Sequence, residues 1–201
     1  MPLAQENLPD RPGLQDAAWV EAALADAAAP MAPQGLSRPL WEQRFAAAGR
    51  ECSSLQTAEA VRILLLHTAS PAADVVTRIY QRGTGTERRA VLLALPHLRL
   101  DPGDAVALIQ DALRANDTRL LAAAVGTSAA LHLDGHAWRH AVLKCLFTGV
   151  PAALVYGLEQ RARGDRELAR MLRDFAAERT AAGRPVPDDL SHILSLTAKE
   201  A

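Results

Sequence analysis

The sequence predicts an all-α protein of short packed helices, and three observations lead there. Strand signals are nearly absent: Ile, Tyr, Phe and Trp are scarce, and no segment alternates apolar and polar residues beyond a few positions. Apolar residues recur instead at i, i+3, i+4 and i+7, the spacing that 3.6 residues per turn brings onto one helix face. Helix start signals stand ahead of these stretches.

Read in order, the chain predicts helices near 14–28, 38–48, 54–67, 71–82, 86–96, 103–115, 118–132, 135–147, 165–182 and 187–196. Residues 1–13 read as a mobile N-terminus, and 29–37, with Pro30, Pro33 and Gly35, as a loop or linker. Ser53-Ser54-Leu55-Gln56 and Thr84-Gly85-Thr86-Glu87 read as capping boxes, in which two side chains satisfy backbone N–H groups reciprocally. Ser70-Pro71 and Asp101-Pro102 place a capping oxygen before a proline suited to the first helical turn. Asp117, Asp134 and Asp165 are further N-cap candidates. The stripes follow: Ala105, Leu108, Ile109, Ala112; Leu121, Ala124, Val125, Ser128; Trp138, Ala141, Val142, Cys145; and Leu168, Met171, Leu172, Phe175.

From 54 to 147 the helices are short and closely connected, as in helix-hairpin stacks of the HEAT or armadillo kind. Segments 87–98 and 118–133 are roughly alike, although no strict repeat can be written. The expected architecture is a degenerate HEAT/armadillo-like helical-repeat array, with an irregular helical bundle as the alternative. One all-helical domain is expected over 14–201, with 54–133 as scaffold.

The totals narrow the function classes. The 201 residues are 49% apolar and 22% charged, the balance of an ordinary globular protein of about one domain. A formal charge of −1 provides no global field for nucleic acid or an anionic membrane. Residues 1–60 nevertheless hold eight acids against four bases, and 161–184 holds seven arginines against four acids. Cys52 and Cys145 follow no metal or redox spacing and sit among apolar positions, where Cys behaves as a small hydrophobe. The N-terminus lacks the basic start and apolar stretch of a signal peptide, and no apolar run approaches the roughly 20 residues that span a bilayer. The expected address is the cytoplasm.

Few constellations carry chemistry. His132, His136 and His140 have the four-residue spacing that zinc uses on a helix, but Asp134-Gly135 is expected to break the helix between the first two. Solvated or core histidines explain them better. Helix 135–147 looks two-sided: opposite the Trp138 stripe stand His136, His140, Leu143 and Phe147, flanked by Lys144. Such a helix is expected to lie between two layers or to line a pocket mixing apolar and cationic groups. The arginines from Arg161 to Arg184 suit phosphate or carboxylate, yet Glu167, Asp174 and Glu178 alternate with them as on a salt-bridged surface. No glycine-rich phosphate loop and no nucleophile elbow is present, and Asp188-Asp189 opens a helix, where capping accounts for it.

The C-terminal third carries a linked series of motifs. It begins with Ala137-Trp138-Arg139-His140-Ala141-Val142-Leu143-Lys144-Cys145-Leu146-Phe147-Thr148-Gly149-Val150-Pro151 and continues with Gly157-Leu158-Glu159-Gln160-Arg161-Ala162. Glu167 to Asp174, Phe175, Glu178-Arg179 and Ala182-Gly183-Arg184-Pro185-Val186 follow. In order and spacing these blocks resemble the signature of the EboA family, which marks 134–186 as a signature segment. The resemblance implies a bacterial protein of a gene cluster that moves a small metabolite across the cytoplasmic membrane. It implies partners from the same cluster, some membrane-associated, among them proteins resembling a membrane prenyltransferase, a sugar isomerase, a dehydroquinate synthase and hydrolases. The family pattern has Asn-Gln where this chain has Arg139-His140, and Asn-Pro where it has Asp165-Arg166.

The expected function is therefore a non-catalytic helical adaptor or binding protein in metabolite trafficking. An enzyme on a small anionic metabolite, with Lys144, His140 and Asp174 as its acid/base set, is one alternative; a purely structural or oligomerising domain is another. Binding candidates are Trp138, His140, Lys144, Phe147, Arg161, Arg170, Asp174 and Arg184. A small anionic metabolite is a candidate ligand, and no catalytic residue, metal ligand, cofactor, nucleic acid or transmembrane segment is expected.

Overall fold

The computed structural model describes residues 7–10, 13, 15–29 and 38–198. The expectations for 1–13 and 29–37 fall largely outside those residues. Among the described residues every regular element is a helix, as the sequence predicts. The chain forms two compact units whose boundary lies within one helix, between Leu108 and Ile109.

The N-terminal unit contains α1 (Ala17–Ala28), α2 (Leu40–Glu51), α3 (Leu55–Ala69), α4 (Ala73–Arg82), α5 (Gly85–Ala94), a 3-10 turn at Leu95–His97, and the start of α6 (Pro102–Arg114). Helix α3 packs against α1, α2 and α5. Val61 to Leu66 are all buried, and each large apolar side chain among them contributes about 1.5–3 kcal/mol. Arg62 lies inside this run at 4% exposure. Its Nε donates to the Phe45 carbonyl at 3.0 Å, its guanidinium stands 5.6 Å from the Phe45 ring centre, and Glu87 lies 3.8 Å away. A Cβ at Gly49 of α2 would come within 3.1 Å of that guanidinium, so the glycine makes room for it.

The caps agree with the sequence in part. Thr84 and Glu87 close the expected box at the start of α5. At α3 the cap is Ser54, which accepts from Thr57 N at 3.0 Å. Ser53 turns away, and its hydroxyl donates to buried Asp16 at 2.6 Å, so no Ser53–Gln56 box forms. Ser70 ends α3 in the left-handed region (φ 43°) and does not start α4, whose N-cap is Ala72.

The C-terminal unit contains the rest of α6, α7 (Thr118–Val125), a 3-10 helix at Ser128–His132, α8 (Gly135–Thr148), a 3-10 turn at Ala152–Leu154, α9 (Leu158–Ala162), α10 (Arg166–Ala181) and α11 (Asp188–Thr197). Asp117, Asp134 and Asp165 each accept a backbone N–H at a helix start, as expected. The single helix expected over 118–132 divides at Gly126. A Cβ there would meet the Ala122 carbonyl at 2.8 Å and the Leu154 carbonyl at 3.4 Å, and Tyr156 N donates to the Val125 carbonyl at 2.9 Å. The 152–156 stretch therefore docks on the end of α7, where a longer helix would run. Helix α9 is absent from the sequence reading, since five residues are too few to show a stripe.

Candidate functional site in the signature segment

Helix α8 is set at both ends by sequence. Asp134 accepts from Ala137 N at 2.7 Å, and Gly149, at φ 76°, lets Val150 N return to the Cys145 carbonyl at 2.9 Å. Its inner face buries Trp138, Ala141, Val142, Cys145 and Leu146. Burial pushes the Cys145 thiol up to about 12, which makes it an unreactive core residue.

The outer face corrects the sequence expectation. His136, His140 and Phe147 are exposed, Phe147 at 69%, and Leu143 is half-buried. Helix α8 is thus buried along one stripe rather than on two sides. The two imidazoles lie 4.3 Å apart, centre to centre, tilted at 55°. Phe147 and half-buried Leu143 thus share this face with two exposed imidazoles. His132 ends the preceding 3-10 helix, separated from His136 by Asp134-Gly135 as predicted. Among the described residues no group of three or more His, Cys, Asp or Glu gathers at metal-binding distance.

The cations of the segment are engaged internally. Lys144 Nζ donates to the carbonyls of Leu113 and Ala115, the latter at 2.9 Å, at the C-terminal end of α6. Arg161 donates to the carbonyls of Ala130 (3.1 Å), Leu131 (3.2 Å) and Leu133, and its guanidinium lies 4.9 Å from the Trp138 ring centre. Both cations therefore bond carbonyls at the C-terminal end of a helix, where few intrahelical partners remain. Burial, then the neighbouring Arg139 charge, lower the Arg161 pKa, while Asp134 and Asp165 oppose them. Trp138 is 2% exposed, and among the described residues its indole N–H has no hydrogen-bond partner.

Arg139 reaches α10. Its Nε donates to both carboxylate oxygens of Asp165, at 2.8 and 3.0 Å, while Asp165 also caps α10 through Leu168 N at 2.9 Å. On α10, Arg170 forks onto Glu167 (2.6 and 3.0 Å) and Asp174 (2.7 Å), all three exposed. The Arg170 hydrogen bond lowers the Glu167 pKa. Arg184 is exposed just after α10, in a turn where its backbone N donates to the Arg179 carbonyl at 2.8 Å. Lys144 on α6 carbonyls and Asp174 on Arg170 leave the acid/base set with His140 unassembled.

A cleft of about 250 Å³ opens at the C-terminal end of α8, between Gly149-Val150-Pro151 and Pro187-Asp188-Asp189. None of the eight expected binding residues lines it. Asp189, read in the sequence only as a helix-start acid, accepts from Ala152 N at 2.7 Å and fastens the 152–154 turn to α11. The Arg139–Asp165 pair was likewise missed, although the resemblance marks both positions as departures from the pattern it implies, and the two side chains touch.

Among the described residues no helix is long and apolar enough to cross a membrane. No curated protein and no solved structure matches the chain. The family model described as metabolite traffic protein EboA matches residues 50–195. That span runs from the end of α2 into α11, and the chain belongs to the EboA family.

Proposed function

We propose that the chain is a non-catalytic helical binding protein in metabolite trafficking, presenting the outer face of α8 to a partner protein. In this reading it works in the cytoplasm of a bacterium, its helices act as a degenerate repeat scaffold, and its partner is a membrane-associated product of the same gene cluster. The observation that carries the reading is Phe147, 69% exposed on the same face as His136, His140 and half-buried Leu143. Arg170, Asp174 and Arg184 would supply a polar rim, while Trp138, Lys144 and Arg161 would hold the face in place from behind. An enzyme acting on a small anionic metabolite would need Lys144, His140 and Asp174 to converge, and the partners of Lys144 and Asp174 speak against it.

The test is affinity capture of the tagged full chain from its native host, beside the Phe147→Gln variant. Wild type should recover proteins of the same cluster, and the variant should lose them while remaining folded. Equal capture by both, or recovery of copies of the chain alone, would overturn the reading and favour a structural or oligomerising domain.

A further inference from the structure

The N-terminal unit holds a second cleft, also of about 250 Å³, just below the roughly 300–1,000 Å³ typical of ligand pockets and sized for a small ligand. Phe45 of α2 and Ile79 of α4 give it an apolar floor, and Arg38, Arg78, Arg82, Glu42 and Glu87 stand around it. Both acids are engaged. Glu42 receives the Arg78 fork at 2.8 and 3.0 Å. Glu87 accepts from the Thr84 backbone N at 2.7 Å and its hydroxyl at 2.9 Å, with buried Arg62 at 3.8 Å. Among the described residues no carboxylate lies within salt-bridge distance of Arg38 or Arg82.

A solvated arginine is ordinary by itself. Here two of them border one concave site whose floor is apolar and whose acids are already neutralised. Gly83, which follows Arg82 in the cleft lining, leaves no room for a side chain, because a Cβ there would meet the Ile79 carbonyl at 2.8 Å. We infer that this cleft binds a small amphipathic anion, with its carboxylate or phosphate held by Arg38 and Arg82 and its apolar body against Phe45 and Ile79. The planar guanidinium fork matches both anionic groups, while the excess positive charge disfavours a cation of the same shape. The site belongs to the N-terminal unit and is independent of the α8 face, so loss of partner capture would leave it unaffected.

The full chain would be titrated with hexanoate and with hexyl phosphate, using calorimetry and amide chemical shifts. Hexylamine and inorganic phosphate are the controls. Both amphipathic anions should shift the amides of Ala46, Ile79 and Gly83 and bind about ten-fold more tightly than hexylamine. The stronger of the two anions identifies the preferred head group. Arg38→Ala/Arg82→Ala should weaken that binding by about ten-fold with an unchanged melting temperature, since both side chains are exposed. Hexylamine binding as tightly as the anions would overturn the inference, as would undiminished affinity in a folded double variant. So would an absence of shifts at these amides up to ~10 mM anion, beyond the millimolar range of a weak site.

Discussion

Helices α3 and α8 are nearly equal in length, 15 and 14 residues, and each packs against several elements of its own unit. Yet α3 is buried through six consecutive residues, whereas α8 is buried along one stripe. The polar residues make the difference. In α3 the single Arg62 meets a carbonyl, an aromatic ring and a carboxylate, so a charge can sit inside without exposing its helix. Burial lowers its pKa, and Glu87 opposes that shift. In α8, His136 and His140 remain in water on the face that also carries exposed Phe147. Two apolar residues do not bury a helix face when exposed histidines occupy the preceding turns of that face.

The largest effects should come from the buried residues of the two helices. Leu65→Ala in α3 should cost about 2–5 kcal/mol and Trp138→Ala in α8 about 3–5 kcal/mol in urea unfolding. A much cheaper Trp138 truncation would mean that the inner face of α8 packs less tightly than α3. Next come the helix-end clamps. Lys144→Met and Arg161→Met should each lose roughly 1.5–3 kcal/mol, the range for hydrogen bonds to charged groups. Wild-type stability in both would free these cations for a ligand and make α8 a different kind of helix from the one described.

A smaller effect is expected at Arg139 and Asp165. A double-mutant cycle with alanine should give a coupling of about 1 kcal/mol, because the pair is only partly exposed and Arg139 touches both oxygens. The cycle is needed because Asp165→Ala alone also removes the α10 cap. Asn at both positions, as the family pattern has it, should restore more stability than either single Asn. Failure to do so would separate the two departures.

Much of this architecture was legible in the chain. Asp134, Asp165 and the Thr84–Glu87 box mark helix starts because capping is local chemistry within four residues. The Trp138 stripe gave the correct inner face of α8 by periodicity alone. What escaped depends on distant neighbours. The break at Gly126 needs Leu154 and Tyr156, and the role of Ser53 needs Asp16, 37 residues away. At the candidate site the residue types were visible but their partners were not. Lys144 and Arg161 read as ligand-facing cations until the carbonyls they satisfy, about 30 residues off, come into view. The cleft between Arg38, Phe45 and Arg82 had no sequence signal, since its lining comes from separate helices.

The exposed outer face of α8 is the point on which the comparison with α3 turns, and Phe147→Gln in urea unfolding tests it most directly. A side chain 69% exposed should be replaceable by a polar one within about 0.5 kcal/mol of wild type. A loss above about 2 kcal/mol would place Phe147 in a packed layer. Helix α8 would then be buried on two sides, as α3 is, and the face proposed for a partner would not exist.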